Sequence, residues 1–168
     1  VQFISTVIHD PKLLILDEPF SGFDPVNAHL IKNELLELKA KGTTIILSTH
    51  NMGSVEELCD EIALIHQGKI VLSGKVQEIK TQFSQKEYEF HFKNTLAEFS
   101  NTLWSAGEVI LFEDRKSYMM ARVKLNDRFS QKEVLQAILA KIDLVAFFEH
   151  LPSMNDIFIE HVTPKTTT

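Results

Sequence analysis

A chain of 168 residues that is 44% hydrophobic and 24% charged has enough apolar content for one good core or two small ones, which excludes disorder as its overall state. Its net charge of −6 has the wrong sign for broad neutralisation of nucleic-acid phosphates, so nucleic acid is not an expected partner. Its longest apolar runs, residues 13–16 and 144–148, fall far short of the ~20 residues that cross a bilayer, and its single cysteine, Cys59, rules out an internal disulfide and points to a reducing compartment.

Residues 1–8 read like the middle of an amphipathic helix, with no initiator methionine and no leader pattern before them; the expectation is a chain cut from something longer. After the turn signal Asp10-Pro11, residues 13–16 are apolar at every position, as a strand buried on both faces must be. Residues 43–48 form a second such run. Between them, residues 28–41 carry Leu30, Ile31, Leu35 and Leu38 at helical spacing and stop at Gly42. Two buried strands joined by a helix make a parallel βαβ unit. A helix over 54–59, strands over 62–65 and 69–72 around the Gln67-Gly68 turn, and a helix over 76–83 follow.

From Lys86 the pattern changes to strict alternation through Lys93, the mark of a half-exposed strand. Asn94 is placed to cap a helix carrying Leu96, Phe99 and Leu103, and residues 108–113 and 118–125 predict a hairpin about 114–117. Ser130 with Glu133 opens a helix to Ile142, and residues 144–149 form another strand. The order β-α-β-β-α-β is the ferredoxin-like split βαβ arrangement. Ser153 with Asp156 opens a last helix over 154–162, and the Thr-rich tail after Pro164 frays. Tyr88, Phe90, Phe92, Trp104, Phe147, Phe148 and Phe158 are expected in the core.

The chemistry concentrates at two strand ends. Asp17 and Glu18 close the first buried strand, where open parallel sheets place ligand sites. An Asp there can bind Mg²⁺, while an adjacent Glu can polarise a water for in-line attack. An Asp-Glu pair also arises where a strand merely meets solvent, so the surroundings decide. Those surroundings are the turn Pro19-Phe20-Ser21-Gly22-Phe23-Asp24-Pro25 and a second buried strand that ends in Ser48-Thr49-His50. Parallel neighbours deliver their carboxyl ends to one edge, which brings Asp17, Glu18 and His50 together, and an imidazole there can bond a γ-phosphate. The other histidines, at 9, 29, 66, 91, 150 and 161, lack metal-ligand spacing.

These residues resemble the ATP-binding cassette (ABC) family, the ATPase subunits of ABC transporters. Leu13-Leu14-Ile15-Leu16-Asp17-Glu18-Pro19 is similar to the Walker B strand with its catalytic glutamate, Ser21-Gly22-Phe23-Asp24-Pro25 to the D-loop, and Ser48-Thr49-His50 to the switch histidine. The strand-turn-strand over 61–74 is similar to the hairpin that follows the switch. The resemblance covers residues 1 to about 80. It implies that Asp17 serves Mg²⁺, that Glu18 is the general base, and that His50 contacts the γ-phosphate of ATP. It implies too that Ser21, Gly22 and Asp24 belong to a nucleotide-site loop communicating across a dimer of ATPase subunits. The ending Pro152-Ser153-Met154-Asn155-Asp156-Ile157-Phe158 is similar to that of subunits paired with exporter-type (ABC-2-like) permeases.

The expected fold class is therefore α/β, the C-terminal part of a P-loop-type ABC ATPase domain (residues 1–84), followed by an accessory α+β domain of ferredoxin-like order (residues 85–168). The implied partners are a second ATPase subunit and an integral-membrane permease, on the cytoplasmic face of the membrane. The glycines, at 22, 42, 53, 68, 74 and 107, head no Gly-x-x-x-x-Gly-Lys-Ser/Thr phosphate loop; residues 68–75 imitate one, but the spacing is wrong and they lie in a hairpin. The signature segment is absent as well. The chain reads as a fragment truncated just after that signature. The alternative is a non-hydrolysing interaction module that does not bind ATP by itself. An ABC-type ATPase of DNA repair or translation is disfavoured by the acidic balance and the exporter-like ending.

Overall fold

The apolar run at 13–16 forms β1 (Leu13–Asp17), which pairs in parallel with β2 (Thr44–Ser48), Leu14 opposite Ile45 and Asp17 opposite Ser48. The crossover between them is α2 (Pro25–Ala40). In this computed structural model, which describes residues 2–162, the chain forms two units. One combines residues 2–78 with 153–162 and the other holds residues 79–152.

In the first unit, α1 (Gln2–Val7) brings Phe3 and Val7 against a small core of Leu14, Leu35, Leu38 and Leu58. Helix α2 starts at Pro25, three residues earlier than its apolar spacing predicts. The reason is Asp24, whose carboxylate caps the first turn while Pro25 supplies a preset φ at the first helical position. Likewise α3 (Met52–Leu58) begins ahead of the expected Ser54, because the Asn51 side chain accepts the Ser54 N–H at 2.9 Å. Strands β3 (Glu61–His66) and β4 (Lys69–Lys75) form the expected hairpin, and Gln67 and Gly68 both take positive φ, as its tight turn requires. Helix α4 (Val76–Gln82) carries the chain out of this unit.

One expectation about β1 and β2 fails. Leu14 is buried, but Leu13, Ile15 and Ile46 are 51%, 68% and 55% exposed. Each strand packs one face on α2 and α3, and no described residue covers the other. Doubly apolar strands thus stand singly buried here.

The second unit is a four-stranded antiparallel sheet in the order β6-β7-β5-β8. Its strands are β5 (Glu87–Phe92), β6 (Gly107–Asp114), β7 (Met119–Leu125) and β8 (Leu144–His150), and α5 (Leu96–Leu103) and α6 (Gln131–Leu139) cover one face. This is the ferredoxin-like order read from the sequence. Tyr88, Phe90 and Phe92 alternate inward from β5, and Phe92 stacks on Phe99 with ring centroids 4.2 Å apart. Both helices open with complete capping boxes, Thr95 with Glu98 and Ser130 with Glu133.

Asn94 is not the cap of α5. Thr95 takes that place, and Asn94 Oδ1 instead accepts the Asp143 N–H at 2.7 Å, tying the start of α5 to the approach of β8. Trp104 and Phe148 are not core residues either. Trp104 ends α5 with φ +33° and lies 85% exposed, while Phe148 points off the uncovered sheet face, 52% exposed.

The last helix, α7 (Met154–Val162), packs on α3 in the first unit rather than on the sheet that precedes it. Met154 and Ile157, on its apolar face, are fully buried. A single cut between residues 84 and 85 therefore does not separate the structural units at the C-terminal end. The expected fraying after Pro164 lies outside the described residues, as does Val1 of the first helix. Among the described residues no helix is long and apolar enough to cross a membrane.

Candidate functional site

Parallel pairing puts the carboxyl ends of β1 and β2 side by side, and their side chains bond across the pair. Ser48 Oγ donates to Asp17 Oδ1 at the last paired position. One residue further, the Glu18 N–H donates to the Ser48 carbonyl at 3.0 Å, extending the ladder. Glu18 then turns the chain at φ +44°, a conformation few non-glycine residues adopt and one that the following proline restricts further. The Ser21 N–H closes the turn on the Glu18 carbonyl at 3.0 Å.

The Glu18 carboxylate reaches the end of β2. Its Oε1 accepts the His50 backbone N–H at 3.1 Å and faces His50 Nδ1 at 2.7 Å, while Thr49 Oγ1 lies 3.4 Å from Oε2. An ionised carboxylate only accepts, so His50 Nδ1 is the donor to Oε1. The His50 side chain is 86% exposed and that of Glu18 37%. The pair thus faces solvent, where a ligand can reach it. Sequence reasoning brought Asp17, Glu18 and His50 to one edge, and the structure places them there. It missed Ser48 as the partner of Asp17 and Thr49 as a neighbour of Glu18, although the strand register contains both.

The turn residues take other roles. Gly22 has φ +80° with nothing near the position of a Cβ, so conformation rather than crowding calls for glycine. The Asp24 carboxylate accepts from Asn27 Nδ2 at 2.5 Å, from the Asn27 N–H at 3.1 Å and from the Val26 N–H at 3.0 Å. The Asn27 side chain foremost, with these amides, holds its pKa below the usual carboxylate value. Those bonds run to α2, not to the Glu18–His50 pair. Cys59 stays without a role: burial pushes its thiol pKa up, away from the reactive thiolate.

No group of three or more His, Cys, Asp or Glu among the described residues converges to hold a metal unaided. Asp17 and Ser48 offer a carboxylate and a hydroxyl, hard oxygen donors suited to a Mg²⁺ ion that keeps water and phosphate in the rest of its shell. Beside them a groove of about 1000 Å³ runs along β2 and β3, lined by Leu35, Leu47, Val55, Leu64 and Phe158 and including His50. β2 and β3 are not paired with each other, so each turns an open edge to this unit's surface.

Comparison with known proteins gives a consistent picture. Residues 74–162 match the family described as "ATP-binding protein DrrA1-3-like, C-terminal domain", and residues 1–56 match an AAA-domain family. An uncharacterized ABC transporter ATP-binding protein of Alkalihalophilus pseudofirmus is 42% identical over 163 residues, 96% of this chain and 58% of that protein. The ABC transporter ATP-binding protein YhaQ of Bacillus subtilis is 39% identical over 96% of this chain and 52% of its own length. A fluoroquinolones export ATP-binding protein of Mycobacterium tuberculosis is 44% identical over 93 residues, 55% of this chain and 31% of that protein. The chain spans about half the length of the curated relatives it matches along its whole extent.

Proposed function

The chain belongs to the family of DrrA1-3-like ATP-binding proteins, and from that premise we propose that it is the C-terminal part of an ABC-type ATPase subunit, hydrolysing ATP to energise export by a separate membrane permease. The observation that carries this reading is the Glu18 carboxylate, held at the end of a parallel strand by both the backbone and the ring of His50.

Glu18 is the general base. Both His50 donors meet Oε1, and only Thr49 Oγ1, at 3.4 Å, neighbours Oε2. Oε2 is thus the oxygen with capacity left to accept a proton from an attacking water. His50 orients the base. Its ring directs Nδ1 at Glu18 and leaves Nε2 outside that bond, the nitrogen that would contact a γ-phosphate. Asp17, with Ser48 against it, would hold Mg²⁺, which when bound neutralises charge developing on the transferred phosphoryl group. Ser21, Gly22 and Asp24 form the turn after the base. Because the Asp24 carboxylate caps α2, the turn and that helix move as one piece, which suits a loop that reports the state of the site to a second subunit.

The phosphate-cradling loop and the signature are expected from the remainder of the ATPase domain, which also covers the exposed faces of Ile15 and Ile46. An exporter role is supported by the exporter-like ending at 152–158 and by the relative named for fluoroquinolone export. The partners are a second ATPase subunit and a permease, with the subunit on the cytoplasmic face of the membrane. This chain by itself is expected to bind Mg·ATP weakly or not at all, since its own glycines form no phosphate cradle.

In the complete subunit, Glu18→Gln is expected to slow hydrolysis by ~10²–10⁴-fold while nucleotide binding persists. Steady-state turnover alongside equilibrium ATP binding measures both, and unchanged turnover would overturn the assignment.

A further inference from the structure

The last helix ends its path on the helix that begins beside the candidate histidine. Within the first turn of α7, Ser153 and Asp156 serve each other: the Asp156 carboxylate accepts the Ser153 N–H at 3.1 Å, and Ser153 Oγ accepts the Asp156 N–H at 3.1 Å. The Met154 N–H is left outside that exchange. Met154 is wholly buried, so this donor has no access to water. It is met by Glu56 Oε1 at 2.6 Å, from a residue 98 positions away on α3. The apolar face of α7, Met154 and Ile157, is buried, as are Ser54, Val55 and Leu58 along α3.

Helix α3 is only seven residues long, less than two and a half turns. Its N-cap, Asn51, directly follows His50. Asn51 Oδ1 accepts the Ser54 N–H at 2.9 Å, and the Asn51 N–H donates to Thr49 Oγ1 at 3.1 Å. Thr49 and His50 are the two residues that meet the Glu18 carboxylate. A short helix cannot tilt or slide at Glu56 without carrying its cap, which is joined to His50 by the peptide bond and to Thr49 by a hydrogen bond.

We propose that Glu56 is a positioning residue: by binding the buried first-turn amide of α7 it fixes α3, and through Asn51 it sets how His50 and Thr49 meet Glu18. The docked C-terminal helix is then part of the catalytic geometry, although it contributes no atom to the site. The kinetic half of this proposal rests on the ATPase reading; the structural half does not.

The test uses three substitutions at Glu56 in the full chain, with His50→Ala for assignment. Glu56→Gln keeps a carbonyl oxygen that accepts the Met154 N–H. Glu56→Ala removes it, and Glu56→Asp, one methylene too short, serves where the alanine variant does not fold. The ring-proton NMR signals of His50 are assigned by their loss in His50→Ala, with His91 of the second unit as an internal control. Glu56→Ala or Glu56→Asp is expected to shift or broaden the His50 signals while those of His91 stay in place, and Glu56→Gln is expected to leave both unchanged. His50 signals that stay fixed when the Met154 amide is released overturn the proposal, as does a glutamine variant that moves them as far as alanine does.

In the complete subunit, Glu56→Ala is expected to lower kcat by about two- to thirtyfold with KM for ATP nearly unchanged. In a His50→Ala background the same change is expected to cost clearly less than in the wild type, only the part carried through Thr49. A loss that simply multiplies with that of His50→Ala marks Glu56 as a general stabiliser and overturns the positioning role. If the wild-type subunit hydrolyses no ATP, the ATPase reading fails instead, and the NMR result decides this proposal alone.

Discussion

The two units bury their strands to very different degrees. In the second, α5 and α6 cover one face of the four strands, and Phe90, Phe92, Phe99, Ala121, Val123 and Ile138 have no exposed surface. In the first, two separate two-stranded sheets leave Leu13, Ile15, Ile46, Ile65 and Ile70 more than half exposed. The candidate site lies in the unit that cannot cover its own strands. The candidate chemistry is assembled at strand ends of the loosely covered unit, whereas the unit without candidate chemistry holds the larger closed core.

That contrast can be broken at its strongest point first. Phe92→Ala removes a ring stacked on Phe99 in a fully closed core and is expected to destabilise the second unit by about 3–5 kcal/mol. Urea denaturation followed by near-ultraviolet circular dichroism measures it, and a loss below about 1 kcal/mol would mean that the core is not tightly packed. Ser130→Ala deletes the cap of α6 and is expected to cost about 1 kcal/mol in the same assay.

Acid should act on the same helix termini. The Glu133 and Glu98 carboxylates accept bonds at their caps, Ser130 and Thr95, first through the backbone N–H and then through the hydroxyl, and these hold their pKa below the ordinary value of 4.5. A carboxyl depressed in the folded state adds stability above its unfolded pKa and loses it as pH falls through the folded one. The urea midpoint is expected to drop as pH is lowered from about 4.5, and less steeply in Glu133→Gln. The smallest effect sharpens the contrast from the other side. Ile15→Thr, on the uncovered face of β1, is expected to change the stability of this chain by no more than about 0.5 kcal/mol. A loss above 2 kcal/mol would show that face to be covered in solution.

Much of this was legible in the residues because local rules and tertiary structure agreed. The alternation of Tyr88, Phe90 and Phe92 gave a one-faced strand, and the capping box of α6 sat where Ser130 precedes Glu133 by three. The candidate site was legible for a different reason: parallel register alone brings Asp17 and Ser48 together, and Glu18 and His50 follow one and two residues later. What stayed hidden depended on partners distant in sequence. Asn94 looks like a cap until Asp143 claims its side chain, and α7 looks like a tail of the second unit until Glu56 pairs its buried amide. Burial of β1 and β2 was overestimated because apolar sequence records what a strand is built to face, including surfaces this chain does not supply.

The placement of α7 also orders events during synthesis. Because residues 153–162 complete a unit begun at the start of the chain, the intervening stretch 79–152 must be translated first, which takes about 4–15 s at ribosomal speed. Throughout that interval α3 packs only on the α2 side, through Leu58 against Leu35 and Leu38, and lacks the face that α7 covers, while the whole second unit becomes available to fold. The second unit has all its strands and both helices before α7 exists, whereas the first unit gains the partner of α3 only once residues 153–162 are made.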